Sequence, residues 1–275
     1  MKFLVRFVGI SMIIVALYNV WVVIDVPPTF KVLATTKVDS SAIISLGNDA
    51  GQGNMLGIQP ALAPIHYSNK VTLKDNLRGY LQAANARGLI NAKTVIIFPE
   101  YIGSWLVAME QKSSVYEQAN LTDAMTAVIT ANIFKFGVAY VTAPSGTKDK
   151  DKYAAFAMKA RQVAETYDEI FSELAKEFKV TIVAGSIVLP EPSLDEAGKL
   201  KIARGRLYNT SVVYNPEGKI QAPLVKKIFP IDEEAGFTTP GDKNQVPVFN
   251  TPAGKLAVLV CADSWYPEAY SKLSE

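Results

Sequence analysis

The chain has 275 residues, 49% of them hydrophobic, with 28 basic against 26 acidic side chains and a formal net charge of +2. This is enough apolar material for a large core, and a near-neutral chain without a long basic run argues against a nucleic-acid partner. A single cysteine excludes an intramolecular disulfide and leaves no set of thiolates for a structural zinc site.

The first predicted element is a helix. From Phe7 to Ile24, "FVGISMIIVALYNVWVVI" carries no charge, and as a helix it would span about 27 Å, close to the hydrocarbon thickness of a bilayer. Lys2 and Arg6 precede it, while Asp25, Pro27 and Pro28 follow. Residues 1–26 therefore read as a signal-anchor, contacting the membrane through residues 7–24, with the amino terminus cytoplasmic and the remainder on the periplasmic or extracellular side. A cleaved signal peptide, with Val32 and Ala34 near its cleavage site, is the alternative, and a buried core helix the third reading. Residues 27–53 read as a linker whose glycines in "GNDAGQG" do not match a phosphate-binding fingerprint.

From Asn54 onward, strand-like and helix-like segments alternate. Thr72 and Asp75 form a capping-box pattern opening a helix with Leu73, Leu77, Tyr80, Leu81 and Ala84 on one face and Gly88 at its end. "TVIIF" is a short strand ending at "PEY". Residues 121–136 read as helical, "VAYVTA" (138–143) as a strand, and 153–178 as one long helix. "VTIVAGSIVL" reads as one strand. "LYNTSVVYNPEGKIQAPLV" reads as two strands joined by the turn "NPEG", and "VPVFNTPAGKLAVLV" repeats that design and runs into Cys261. The pattern specifies an α/β layered domain.

Three apolar runs end in polar groups: "VIIFPE" in Glu100, the strand after "NPEG" in Lys226 and Lys227, and "LAVLV" in Cys261. A thiolate attacks carbonyl or nitrile carbon once a neighbouring base removes the thiol proton or a cation stabilises the anion. The sole histidine, His66, lies in a loop and reads as a satisfied polar residue, which leaves glutamate as the base by elimination. A lone cysteine after an apolar strand is in general a small core hydrophobe, so the neighbouring residues decide between the two readings.

"FPE", a lysine after a hairpin, and a strand ending in Cys with Asp two residues later and "PE" six and seven residues later together resemble the carbon-nitrogen hydrolase family, also called the nitrilase superfamily. "MLGIQPAL", "FSELAKEFKVTIVAGS" and "LYNTSVVYNPEGKI" extend the resemblance over residues 54–275. It implies an α-β-β-α sandwich, here truncated at its carboxyl end, because family members continue for several strands beyond the nucleophile. It also implies Glu100 as general base, Cys261 as nucleophile and Lys226 as catalytic lysine, with Lys227 as its competitor. Glu234 is implied as the second glutamate of the amidase branch, ahead of Glu233. The Ala262 N–H is implied as an oxyanion donor, and Tyr101, Trp105 and Trp265 flank the site as candidates either to line a substrate pocket or to pack the core. Asp263 and Glu268 are expected to have structural roles. The implied activity is hydrolysis of a small-molecule amide or nitrile through a cysteine thioester, without metal or organic cofactor, in a possible homodimer. Acyl transfer to an amine is the alternative, and a catalytically silent, membrane-tethered binding module the second.

Overall fold

A computed structural model describes residues 2–24, 43–118, 120–271 and 273. The linker expected at 27–53 lies outside the described residues up to position 42. In chain order the elements are α1 (Lys2–Val23), β1 (Asn54–Gly57), α2 (Lys70–Ala86), β2 (Thr94–Ile97), α3 (Ser113–Tyr116), α4 (Leu121–Ala131), α5 (Ile133–Val141), α6 (Lys150–Ala157) and α7 (Ala160–Phe178). There follow β3 (Thr181–Val183), β4 (Ile187–Pro190), β5 (Ser193–Leu194), β6 (Leu200–Lys201), β7 (Leu207–Tyr214), β8 (Ile220–Lys226), α8 (Asp232–Ala235), β9 (Val248–Thr251), β10 (Gly254–Ala257) and α9 (Pro267–Ser271).

A six-stranded sheet organises the domain. β1, β2 and β3 are parallel, β7 runs antiparallel beside β3 and β4, and β8 pairs antiparallel with β7. Strand alternation splits its side chains between two faces. Ile96, Ile182, Val212 and Tyr214 pack against Leu73, Leu77 and Leu81 of α2 and Ile170, Phe171 and Leu174 of α7. On the opposite face Val95, Val183, Val213 and Val225 meet Phe249 of β9 and Val260. The described residues thus build a helical layer, a six-stranded sheet and two two-stranded sheets, β9–β10 and β5–β6. The mixed α/β class read from the sequence is the class observed.

Several boundaries differ from the sequence reading. α2 starts at Lys70 because Asn69 is the cap, its side chain accepting the Thr72 N–H at 2.9 Å, so Thr72 lies inside the helix. Residues 138–143 are not a strand: Phe136 and Ala139, three apart, turn toward the core and continue α5. The helix expected over 153–178 is two, because at Lys159 the chain turns and buries the ammonium on the Met109 carbonyl.

The single strand expected from "VTIVAGSIVL" is interrupted at Gly185, and this break positions the site. Gly185 has φ +66°, and a Cβ there would lie 2.1 Å from the Pro99 carbonyl oxygen. Glycine is required where the β2 exit loop crosses so closely. Next to it, Ser186 Oγ accepts the Tyr101 N–H at 2.9 Å and the Ser186 carbonyl accepts the Gly103 N–H at 3.0 Å. Glu100 is thereby held above the gap between β3 and β4.

The transmembrane span expected at the amino terminus is not supported. α1 forms over 22 residues, but no single helix among the described residues is long and apolar enough to cross a membrane, and the apolar part of α1 covers Ile10–Val22. α1 lies against the α4–α5 corner, where Tyr18 donates to the Thr130 carbonyl at 3.0 Å and meets Phe134 edge-on at 5.2 Å.

Candidate active site

Glu100 enters the site from the loop after β2, and Cys261 opens a 3-10 turn, Cys261–Trp265, just beyond Val260. Strand structure itself ends at Ala257, so Cys261 stands past the tip of the apolar run. Its φ is +50°, a left-handed value that costs an ordinary residue free energy and persists only where the surroundings impose it. Asp263, 1% exposed, imposes it. One carboxylate oxygen accepts the Ile228 and Phe229 N–H groups at 2.9 and 2.8 Å, and the other accepts the Val260 N–H at 3.1 Å. The turn bearing Cys261 is thus tied to the segment following β8. Asp263 thus has a structural role, as expected; Glu268 lies exposed on α9.

The lysine brought to the carboxylates is Lys227, not Lys226. Lys227 is 1% exposed, and its Nζ donates to Glu100 Oε1 at 2.9 Å and to Glu234 Oε2. Lys226 projects from the other face of β8, its ammonium 3.9 Å from the centre of the Tyr208 ring. The reason is register. Lys226 pairs with Thr210, whose face carries Val212 and Tyr214, whereas Lys227 donates its N–H to the Asn209 carbonyl at 2.8 Å and shares the Asn209 side. A step of one residue reverses the face.

Asn209 was not anticipated. Its side-chain amide donates to Glu100 Oε1 at 2.8 Å and to Glu234 Oε1 at 2.9 Å, so one residue of β7 sets the spacing of both carboxylates. A polar residue inside the otherwise apolar run "LYNTSVVY" was the available signal. Glu234, on α8, is 2% exposed and also receives the Tyr101 phenol and the Ile231 N–H. Glu233 makes no such contact; Lys152 reaches only its carbonyl.

The charges of this cluster support one another. Burial works against a charged Lys227, but bonds to Glu234 and Glu100 outweigh it and raise its pKa above the usual lysine value. For Glu234 burial alone would raise the pKa; donors from Lys227, Tyr101, Ile231 and Asn209 bring it below the usual value. The Cys261 thiol, on an exposed residue, is pushed up first by partial desolvation and then by the nearby Glu100 carboxylate, partly offset by the Lys227 ammonium. Cys261 therefore rests as a thiol.

Of the other expected residues, Tyr101 meets Glu234, Trp105 lines a cavity beside Glu100, and Ala262 is buried directly after Cys261. Trp265 is 73% exposed and does not line that cavity, because the 3-10 turn faces it outward. His66 accepts the Ala63 N–H through Nδ1 at 2.7 Å within its own turn. Among the described residues no group of three or more His, Cys, Asp or Glu could hold a metal ion.

The profile described as Carbon-nitrogen hydrolase matches residues 69–275. The chain is 30% identical over 108 residues to the omega-amidase NIT3 of Saccharomyces cerevisiae, covering 36% of this chain and 33% of that protein. It is 32% identical over 143 residues to the omega-amidase NIT2 of Xenopus tropicalis, covering 47% and 44%. The chain thus spans less than half the length of these curated relatives. A solved carbon-nitrogen hydrolase from Helicobacter pylori G27 covers 80% of this chain and 54% of its own at a TM-score of 0.43 and 19% identity. With a profile match over most of its length and relatives bearing amidase names, this chain belongs to the carbon-nitrogen hydrolase family.

Proposed function

We propose that the chain is an amidase-type hydrolase acting through a Cys261 thioester, with Glu100 as general base and Lys227 as the cation of the triad. The observation that carries this reading is the buried Lys227 ammonium bonded to Glu100 and Glu234, on a segment whose next two N–H groups bind Asp263 of the Cys261 turn. Glu100 takes the thiol proton as sulfur attacks the amide carbon, and the new oxyanion forms against the Lys227 ammonium and the Ala262 N–H. An ammonium has three donors, and Glu100 and Glu234 occupy two of those on Lys227, which leaves one for the oxyanion. Oxyanion donors of this kind contribute about 3–4 kcal/mol each. The protonated Glu100 then gives its proton to the departing nitrogen, amine or ammonia leaves, and the acyl group remains on sulfur. Glu100 next takes a proton from water, which attacks the thioester; collapse returns the proton to sulfur and releases a carboxylic acid. Glu234, Asn209 and Asp263 hold this set in place.

The test is intact-mass detection of an acyl adduct on Cys261 with a primary amide, together with ammonia release. The adduct is expected in the wild type and absent in Cys261→Ala. Discharge that requires an amine acceptor would replace hydrolysis by acyl transfer, and a folded protein that forms no adduct would leave the silent binding module.

Attachment to a membrane surface through α1 belongs to the same proposal. Its support is α1 itself, whose Ile10, Ile13, Ile14 and Leu17 are each about 60% exposed. Retention of the chain in the membrane fraction is the expected result, and recovery in the soluble fraction would refute it. Self-association into a homodimer is likewise a proposal, checked by sedimentation.

A further inference from the structure

A cavity of about 340 Å³ shares Glu100 and Tyr101 with the site and runs from them between the Pro60–Tyr67 segment and α4. That volume falls within the range of small-molecule sites and accommodates roughly ten water-sized or methylene-sized groups. Its far wall is apolar: Trp105, Val115, Ala124, Met125 and Val128 all face it. Glu100 is the only charged residue among those lining it, and no lysine or arginine is present to receive an anion. Two of its polar groups are already engaged. The Tyr101 hydroxyl is bound to Glu234; the Tyr116 hydroxyl donates to the Ala108 carbonyl at 2.8 Å and accepts the Gln111 N–H at 3.0 Å.

We propose that this cavity receives the acyl chain of the substrate, which makes the preferred substrates amides of apolar carboxylic acids with up to about ten heavy atoms beyond the carbonyl, and disfavours amides whose far end carries a carboxylate. The proposal rests on the assignment of Cys261 as nucleophile. Of the two halves of an amide, the acyl half stays bound through both acylation and hydrolysis, whereas the nitrogen half departs so that water can reach Glu100. A lined apolar cavity suits the half that remains. A terminal carboxylate placed there would lose its water without gaining a cationic partner.

The experiment has two arms, both on the full chain. In the first, Cys261→Ser is titrated with 8-bromooctanamide while tryptophan fluorescence is followed; saturable quenching that disappears in the Cys261→Ser/Trp105→Phe double variant is expected, and no saturable quenching overturns the proposal. In the second, kcat/KM is measured for primary amides from butyramide to octanamide. Burial of each added methylene predicts a rise of roughly threefold to fourfold. The half-amide of a dicarboxylic acid matched in length to octanamide should be at least tenfold slower than octanamide, and Ala124→Phe should lower the octanamide-to-butyramide ratio by at least tenfold. A flat chain-length profile, or a preference for the carboxylate-bearing amide, overturns the proposal while leaving the nucleophile assignment intact. Quenching without any acyl adduct on wild-type Cys261 overturns the nucleophile assignment, and with it the proposal that the bound chain is an acyl group in turnover.

Discussion

Lys227 is an ammonium withdrawn almost fully from water between two carboxylates, so its two neighbours decide whether it is tolerated. Breaking such a buried set by removing one member is costly, because the remaining charges lose their partner. Lys227→Met is expected to lower the unfolding free energy by about 3–5 kcal/mol and to slow acyl-adduct formation by about 10²–10³-fold, read by denaturant titration and intact mass. Lys226→Met removes only a cation held over Tyr208, worth about 0.5–1 kcal/mol at such a site, and should leave adduct formation within about threefold. Equal loss in both variants would refute the register assignment. The pKa directions add a second expectation. Glu234 titrates below its ordinary 4.5 in the folded chain, so its contribution to stability is present above that value and disappears as pH falls through the depressed folded value. Lys227 titrates above 10.5, so its contribution is present below that value and is lost as pH rises through the raised one. Between these limits the set should stabilise the fold evenly, and Glu234→Gln should flatten the acid limb of a stability-versus-pH curve. The Cys261 thiol titrates above 9.0, raised first by partial desolvation and then by the Glu100 carboxylate. Alkylation by iodoacetamide should therefore still be accelerating above pH 9. Glu100→Gln should shift that rise to lower pH while abolishing amide hydrolysis, a combination that loss of folding would not produce.

At the scale of elements, the break between β3 and β4 is what places Glu100. Gly185→Ala puts a methyl group against the Pro99 carbonyl at a left-handed φ, and steric crowding together with the backbone penalty should cost about 2–5 kcal/mol. Thermal unfolding would measure it, and a loss below about 1 kcal/mol would contradict the close crossing. No local pattern in "VTIVAGSIVL" announces this break, because the apolar run continues on both sides and the reason for the glycine lies on another strand. The lysine choice has the same origin. Leu224 packs toward the helical layer and Val225 toward the β9 side, but both are apolar, so alternation in the sequence does not say which following lysine shares the site face. The register of β8 also shifts between Ser211 and Val213 of β7, which a residue count from Gly218 does not detect. The β7–β8 and β9–β10 hairpins, by contrast, were legible, since each has turn residues between two β-rich runs.

For the molecule as a whole, the two faces of the sheet have different partners: α2 and α7 cover one, β9 and the approach to Cys261 cover the other. α2 and α7 are also joined by a ladder of ion pairs, Lys70 with Glu169, Lys74 with Glu173 and Arg78 with Glu177, each step four residues along both helices. Their side chains remain partly exposed, so each pair should contribute less than about 1 kcal/mol. Replacing Glu169, Glu173 and Glu177 by Ala together should lower stability by at most about 3 kcal/mol, and by less at high salt; a larger loss would mean that the ladder, not the apolar seam beneath it, holds the helices to the sheet. By itself the sequence determined the α/β class and the family, because hydrophobic period, turn chemistry and motif order are local properties of the chain. Only the tertiary structure decided that Lys227 rather than Lys226 meets the carboxylates, that Asn209 spaces them, and that Trp265 faces outward while Trp105 lines the cavity beside Glu100. Those outcomes depend on strand register and on crossings between segments distant in sequence, where a shift of one residue exchanges buried for exposed.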